Sequence, residues 1–546
     1  MKKANDLYFR QLQALLTDFS FEATKNKTEL LKQCSLIKIM SKKCIEQYHN
    51  NLLFILSYAQ NAEIYLLAHK EMLRITELIQ KNVILKDKLT GSGIAGASIQ
   101  GAYSLTLINW LLKQFSQAVS IHSFDETGTH PKEILKHTLP EAEFEILSNE
   151  KLNALKWLGK ASGTNNGNKK LLWLIQQINV LKADDLIKDQ LFESLKLYVE
   201  IKPEEKYFSR SFGTIKTENK YFHSDGLTKR FNEKELINKK LPQEKRLSSI
   251  QKEEIIKASR IALCLLNRET DPISYCEELN IKYFELERGL SVALFSIDKE
   301  RRLPIESYIG FMMFKNGYPM SYGGAWLFGQ RSLIGINIFD AFRGGESAIV
   351  FAQLLRCYKM EFGANYFEVE PYQFGKNNPE GIQSGAFWFY YRFGFKPCDK
   401  KLAELALSEH QKISAAKGYR TSAETLRQFT KSNVFVDFSN NKTIPLNPAN
   451  LSKFVTTKIN NEFNGNRTKA RQWCLQKLKQ EKIINKIELN NGLNKLCWFF
   501  AMCLDWRKIS SKEKAILQQL IHTKDKSEFD YVKLLLRFPF EKLLIQ

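Results

Sequence analysis

Cysteine is scarce in this sequence and follows no pattern. Nine cysteines among 546 residues form no CxxC pair, so there is no basis for a disulfide framework or a four-thiol zinc site. They are expected to be reduced, mostly buried thiols in a reducing compartment. Long apolar runs are missing too. Stretches such as LCWFFAMCL, Leu496 to Leu504, fall short of the ~20 residues that cross a bilayer. No apolar h-region follows Met1, where MKKANDLYFRQLQALLTDF reads as an amphipathic helix. A soluble cytoplasmic protein with no transmembrane segment is expected. Histidine is rare, at eight residues. His122, His130 and His137 stand near Asp125, Glu126 and Glu133, but their spacing matches no metal site, and no metal is expected. Neither a GxSxG elbow nor a Walker A turn occurs, which removes the usual signals of serine hydrolases and P-loop NTPases.

What is present is apolar and basic. Hydrophobic residues make up 44% and aromatics 12%, enough to bury a large core and to exclude a disordered chain. The length suits roughly three or four domains of about 150 residues. The net charge of +22 is unevenly placed: +9 over residues 1–250, zero over 251–400 and +13 over 401–546. Residues 441–480 carry a single acid, Glu462. Two readings stay open. The excess is either a compositional bias with solvated lysines, or a face for nucleic acid, an anionic membrane or an acidic partner.

Periodicity divides the chain. Residues 1–202 place apolar residues at three- and four-residue intervals, as in EIYLLAHKEMLRITELIQ, and are expected to form a mainly helical domain. Within them Gly91-x-Gly93-x-x-Gly96 is read as a turn between helices. Asp125, the next candidate for a ribose contact, lies too far on for a dinucleotide fingerprint. Residues 203–247 are polar and weakly periodic, as a linker or irregular segment would be. Ser248-x-x-Gln251 resembles a capping box that starts a helix. From about 289 the period becomes strand-like, with Asn316-Gly317 as a hairpin turn and SLIGINIFD as a further strand. After 405 helices return, with a possible strand at NVFVDF (433–438).

One segment carries motifs. FRGGESA, Phe342 to Ala348, is a glycine turn at a helix start. ANYFEVEP follows as a strand. NNPEGIQSGAFWFYYRFGF then sets Asn378, Ala386, Phe389, Tyr390, Gly394 and Phe395 in sequence. Residues 248–405 thereby resemble the GNAT (Gcn5-related N-acetyltransferase) domain, in which a glycine turn, a helix, a strand and an aromatic Gly-Phe segment recur in this order. The whole chain also resembles bacterial proteins that end in such a domain, a likeness that adds no function. The resemblance implies an α+β fold: a mixed twisted sheet flanked by helices, here between the N-terminal helical domain and a basic helical domain over 406–546. It also implies acetyl-CoA or another acyl-CoA as cosubstrate, with Arg343, Gly344, Gly345, Ser347, Ala348 and Asn378 in its binding. The turn's backbone N–H groups and the helix's positive end suit a pyrophosphate on physical grounds as well. Glu346 stands where the family has the turn's central glycine, and PYQFGKN is longer than the usual connection.

Transfer of an acyl group from a thioester to an amine needs a base, an oxyanion donor and an acid for the departing thiolate. The resemblance makes Tyr390 that acid; otherwise Tyr390 is one more core aromatic. Glu368 and Glu370 alternate with Phe367 and Val369 and so share a strand face. Either is a candidate base, as is Asp340, and each is equally readable as a solvated carboxylate. Three functions follow. The first is an acyl-CoA-dependent N-acyltransferase acting on an unidentified amine. The second is a non-catalytic scaffold whose basic helices hold nucleic acid or an anionic membrane, and Glu346 favours it. The third is an aminoacyl-tRNA-dependent transferase.

Overall fold

The computed structural model describes all residues except 1, 38–40, 149–150, 203–204, 440–443, 486–489 and 546. Its architecture is mixed α/β. The described strands, in chain order, are β1 (Ile99–Gly101), β2 (Val119–Phe124), β3 (Leu197–Ile201), β4 (Cys276–Glu285), β5 (Leu290–Ile297), β6 (Ser307–Lys315), β7 (Tyr318–Phe328), β8 (Arg331–Ile338), β9 (Tyr366–Val369), β10 (Lys396–Pro397) and β11 (Val434–Asp437). They build two sheets, a small one ordered β1-β3-β2 and a large one ordered β10-β11-β9-β8-β7-β6-β5-β4. Every pairing is antiparallel except β8 with β9.

The large sheet is covered on both faces, which is why β5, apolar except for Ser291 and Ser296, is buried throughout. Ala293, Phe295, Met312 and Phe314 pack under the helix Ser249–Cys264. That helix starts at the expected capping box, Ser248 with Gln251. Val292, Leu294, Phe311 and Met313 point the other way. They share one core with the helix Ser347–Phe362 and the N-terminal helices, through residues such as Leu52, Phe54 and Ile75. The third layer is therefore continuous with the first 90 residues.

Three expectations need correction. Residues 1–202 are mainly helical but contain the three-stranded sheet, whose Val119, Val199 and Ile201 form a second core with the helices around them. The glycine segment 91–96 leads from the helix Val83–Lys88 into β1, so it does not join two helices. NVFVDF does form a strand, but it belongs to the large sheet. β11 lies between β9 and β10, pairing Val434 with Val369 and Phe435 with Glu368. The unit expected to close at 405 thus takes in residues to 437. The C-terminal helices form their own core, which reaches the sheet through Ile305 and Phe328.

The described residues of the 203–247 stretch, 205–247, include one short helix, Glu233–Asn238, yet they pack closely. Ile215 N–H donates to the carbonyl of Gly317 at 3.0 Å. Gly317 has φ +88, and a Cβ there would lie 2.4 Å from the Ile215 carbonyl oxygen. Gly317→Ala combines a left-handed backbone with that collision and is expected to cost about 1–3 kcal/mol. The check is a urea titration, which should show a lower midpoint at unchanged slope. An unchanged midpoint would mean that this strap does not hold the hairpin.

Candidate active site

The one parallel pair in the large sheet is short. β8 and β9 are in register over Arg331–Tyr366, Ser332–Phe367 and Leu333–Glu368, and there the pairing stops. Beyond it β8 continues to Ile338, while the chain after β9 turns away through a 3-10 turn, Pro371–Phe374. The strands part and leave the edge of β8 from Ile334 onward without a strand on that side. A side chain sits in the gap. Gln373 Oε1 accepts from the Ile336 N–H at 3.4 Å and from the Tyr390 hydroxyl at 3.3 Å. Gly335 makes room for it, since a Cβ there would stand 3.1 Å from Gln373 Nε2.

Tyr390 reaches this gap from the helix Ala386–Arg392. Its ring is buried against Phe351, Phe374 and Phe395, with centroids 5.4, 6.3 and 5.9 Å away. Burial pushes the phenol's pKa up, so it is a proton donor and not a phenolate. Tyr390 is thus both a core aromatic and a hydroxyl facing the gap.

At the far end of β8 comes the glycine turn. Arg343 is half-exposed and bridges Asp340, at 3.1 Å, and Glu380, while its Nε donates to the Ile338 carbonyl. The N–H groups of Gly345 and Glu346 are taken, by the Phe342 carbonyl at 3.3 Å and the Tyr58 hydroxyl at 3.4 Å. Those of Gly344, Ser347 and Ala348 have no acceptor among the described residues. They stand at the start of the 16-residue helix Ser347–Phe362, where the helix dipole favours an anion.

Glu346 does not face that anion position. Its side chain is 2% exposed and turned inward. It accepts from Arg288 Nε at 2.7 Å, Lys315 Nζ at 3.2 Å and the Thr228 N–H at 3.0 Å. Arg288 also donates to Asp225, Tyr221, the Gly226 carbonyl and His223 Nδ1, the last at 3.0 Å. Burial lowers the Lys315 pKa to about 8 against the pull of Glu346. Burial and the Lys315 charge lower His223 to about 4. The guanidinium N–H is the nearer of two contacts to Nδ1, the Gly226 carbonyl standing at 3.4 Å, and as a donor it favours an unprotonated Nδ1 and a neutral imidazole.

The other candidates are spread out. Glu368 is buried on the sheet face opposite Tyr390, paired with Arg331 at 2.7 Å and accepting from Asn433. Glu370 falls just after β9 and is exposed. It lines a cavity of about 500 Å3 together with Glu306, Arg331 and Trp326. Asp340 is exposed and held by Arg343. Asn378 caps the helix Pro379–Ser384 through the Gly381 N–H and donates to the Tyr372 carbonyl. Tyr390, Arg343 and the free N–H groups of the turn therefore gather along the exposed edge of β8, while Glu368 and Glu370 approach from the other face. Sequence reasoning missed Gln373, whose only local signal was the long PYQFGKN connection. It also missed Arg288, Lys315 and His223, which carry no local motif. No group of three metal-ligating side chains occurs among the described residues.

No protein-family model matches the chain, and neither a curated protein nor a solved structure does.

The buried histidine sets an acid limit. His223 titrates near 6.5 when unfolded and near 4 when folded, so below 6.5 the unfolded chain binds the extra proton first. Stability is present above pH 6.5 and is lost as pH falls toward 4. His223→Gln is expected to remove about 2 kcal/mol of the loss between pH 7 and pH 5, read from urea titrations at both values. His49 is also buried and held low, so some slope remains in the variant. An identical loss in both proteins would mean that His223 is protonated in the fold.

Proposed function

We propose that the chain is an acyl-CoA-dependent N-acyltransferase resembling the GNAT enzymes, which transfers an acetyl or other acyl group to an amine. The observation that carries the reading is the parting of β8 and β9 with the Tyr390 hydroxyl in the gap. An acyl-pantetheine arm laid along Ile334–Ile338 would pair with the strand edge as a further strand does. The N–H groups at the start of the helix Ser347–Phe362 would meet the pyrophosphate, with Arg343 beside them. The inward turn of Glu346 supports this reading, because its charge is spent on Arg288 and Lys315 instead of opposing a phosphate.

In this reading the amine attacks the thioester carbonyl, and the tetrahedral intermediate collapses with cleavage of the carbon–sulfur bond. The thiolate takes its proton from Tyr390, and the amine gives one up to a base. Glu370 supports that role best, since it is unpaired among the described residues and lines a cavity on the opposite sheet face. Gln373 holds the gap meanwhile: the Ile336 N–H that would serve the pantetheine is already bonded to it.

One observation favours the scaffold reading. Arg343 is bound to two carboxylates, which leaves it less charge for a phosphate. Calorimetry with acetyl-CoA and desulfo-CoA separates the two. Binding of both is expected, with turnover only for the thioester in the presence of an amine panel. Tyr390→Phe should leave affinity unchanged and lower turnover by roughly 10²–10⁴-fold. Gln373→Ala frees the strand edge at the loss of about 1 kcal/mol of hydrogen bonding, and is expected to tighten CoA binding about fivefold. No binding at millimolar CoA ester would overturn the acyltransferase reading.

A further inference from the structure

A second open space lies across the helix Pro379–Ser384 from the β8–β9 gap. It is a groove of about 1010 Å3 between the segment 375–385 and the segment 413–430. Its wall carries Lys376, Arg420 and Arg427 and not a single carboxylate. None of the three cations has an ion-pair partner among the described residues. The groove also has two aromatic walls, Trp388 and Tyr419. Both are held by hydrogen bonds to neighbouring side chains. Trp388 Nε1 donates to Thr421 Oγ1 at 3.2 Å, and the Tyr419 hydroxyl donates to Glu409 at 2.9 Å. Glu409 is itself 3% exposed and lies just behind the lining, where Lys412 pairs with its charge. Asn377, also in the lining, holds a left-handed backbone at φ +54, and its side-chain amide has no hydrogen bond among the described residues.

We propose that this groove binds nucleotide phosphates with their bases against Trp388 and Tyr419. Unpaired cations supply the phosphate contacts, and aromatic faces stack on any base, which is the arrangement of single-strand sites. The ligand is either a free nucleotide or a stretch of single-stranded nucleic acid. The volume lies at the upper end of pockets for one small ligand, which fits a few linked nucleotides. Residues 401–546, which supply one wall of the groove, carry +13 of the chain's +22. The proposal is independent of acyl transfer.

The test uses the full chain and a fluorescent ten-nucleotide oligothymidylate, followed by anisotropy across a salt series. A protein of net charge +22 binds such a probe weakly anywhere, so the variants are matched in charge. R420E/R427E changes two exposed groove arginines, and K512E/K526E changes two exposed lysines on the helix Ser511–Lys526. R420E/R427E is expected to weaken binding 10- to 100-fold and to flatten the slope of log K against log salt by about two. K512E/K526E should change affinity less than threefold. Tyr419→Ala should cost a further 5- to 100-fold with the salt slope unchanged. Displacement of the probe by millimolar ATP assigns the groove to free nucleotides, and resistance to it assigns the groove to a strand. Equal losses in the two charge-matched variants, or no binding by either source, would overturn the proposal.

Discussion

The buried contact of Glu346 with Arg288 and Lys315 is the constraint on which the rest depends. It ties four separate pieces of chain. Glu346 starts the long helix after β8, Lys315 ends β6, Arg288 sits in the turn between β4 and β5, and Thr228, His223 and Asp225 come from the irregular strap. The first helices join through Tyr58, whose ring lies under Lys315 Nζ at 4.6 Å and whose hydroxyl meets the Glu346 N–H. Such a cluster is a weak source of net stability, because each charge has left water. Removing one member is another matter, since an uncompensated buried charge remains at a cost of about 3–5 kcal/mol. The contact therefore acts as a register. The glycine turn, the strap and the N-terminal helices fit the sheet in the one arrangement that pairs every charge.

That register also decides the electrostatics of the turn. A carboxylate beside a helix N-terminus would normally occupy the position an anion wants. Here it is withdrawn into the core, and the first-turn N–H groups of Ser347 and Ala348 are left facing outward. The gap between β8 and β9 follows a similar logic. A parallel strand pair that ends early exposes N–H groups, and these are costly to leave unmet when buried. Gln373 meets one of them with a side-chain amide, which is a removable partner where a strand would be a permanent one.

The parts legible in the sequence were those with local causes. Asn316-Gly317 fixes a hairpin, Ser248 and Gln251 cap a helix, and the apolar run at 332–338 followed by a glycine turn and a helix yields β8 and its neighbour β9. What was hidden depends on distance. Arg288 and Glu346 are 58 residues apart, and Lys315 and Glu346 are 31 apart. No periodicity links them, and each alone reads as a surface charge. β11 was visible as a strand, but its insertion between β9 and β10 was not. That position depends on which edge of the sheet remained open after β9, a tertiary fact. The short strands β1 to β3 were masked by the helical pattern on either side of them.

The gap and the groove share one stretch of chain, and this sets how they can act together. Residues 371–378 carry Gln373 at one end, in the gap, and Lys376 and Asn377 at the other, in the groove. The helix Pro379–Ser384 then divides the two spaces. Its Glu380 holds Arg343 on the side of the turn, while Pro379, Ile382 and Gln383 line the groove. A ligand that displaces Gln373 from the Ile336 N–H releases one hold on a segment whose other end lines the groove. Coupling between sites requires an element with two arrangements that both ligands bias. Two described elements touch both spaces, this segment and the helix Ala386–Arg392 with Tyr390 in the gap and Trp388 in the groove. Of the two, the segment is the one whose side-chain hold on the β8 edge can be exchanged for a ligand's.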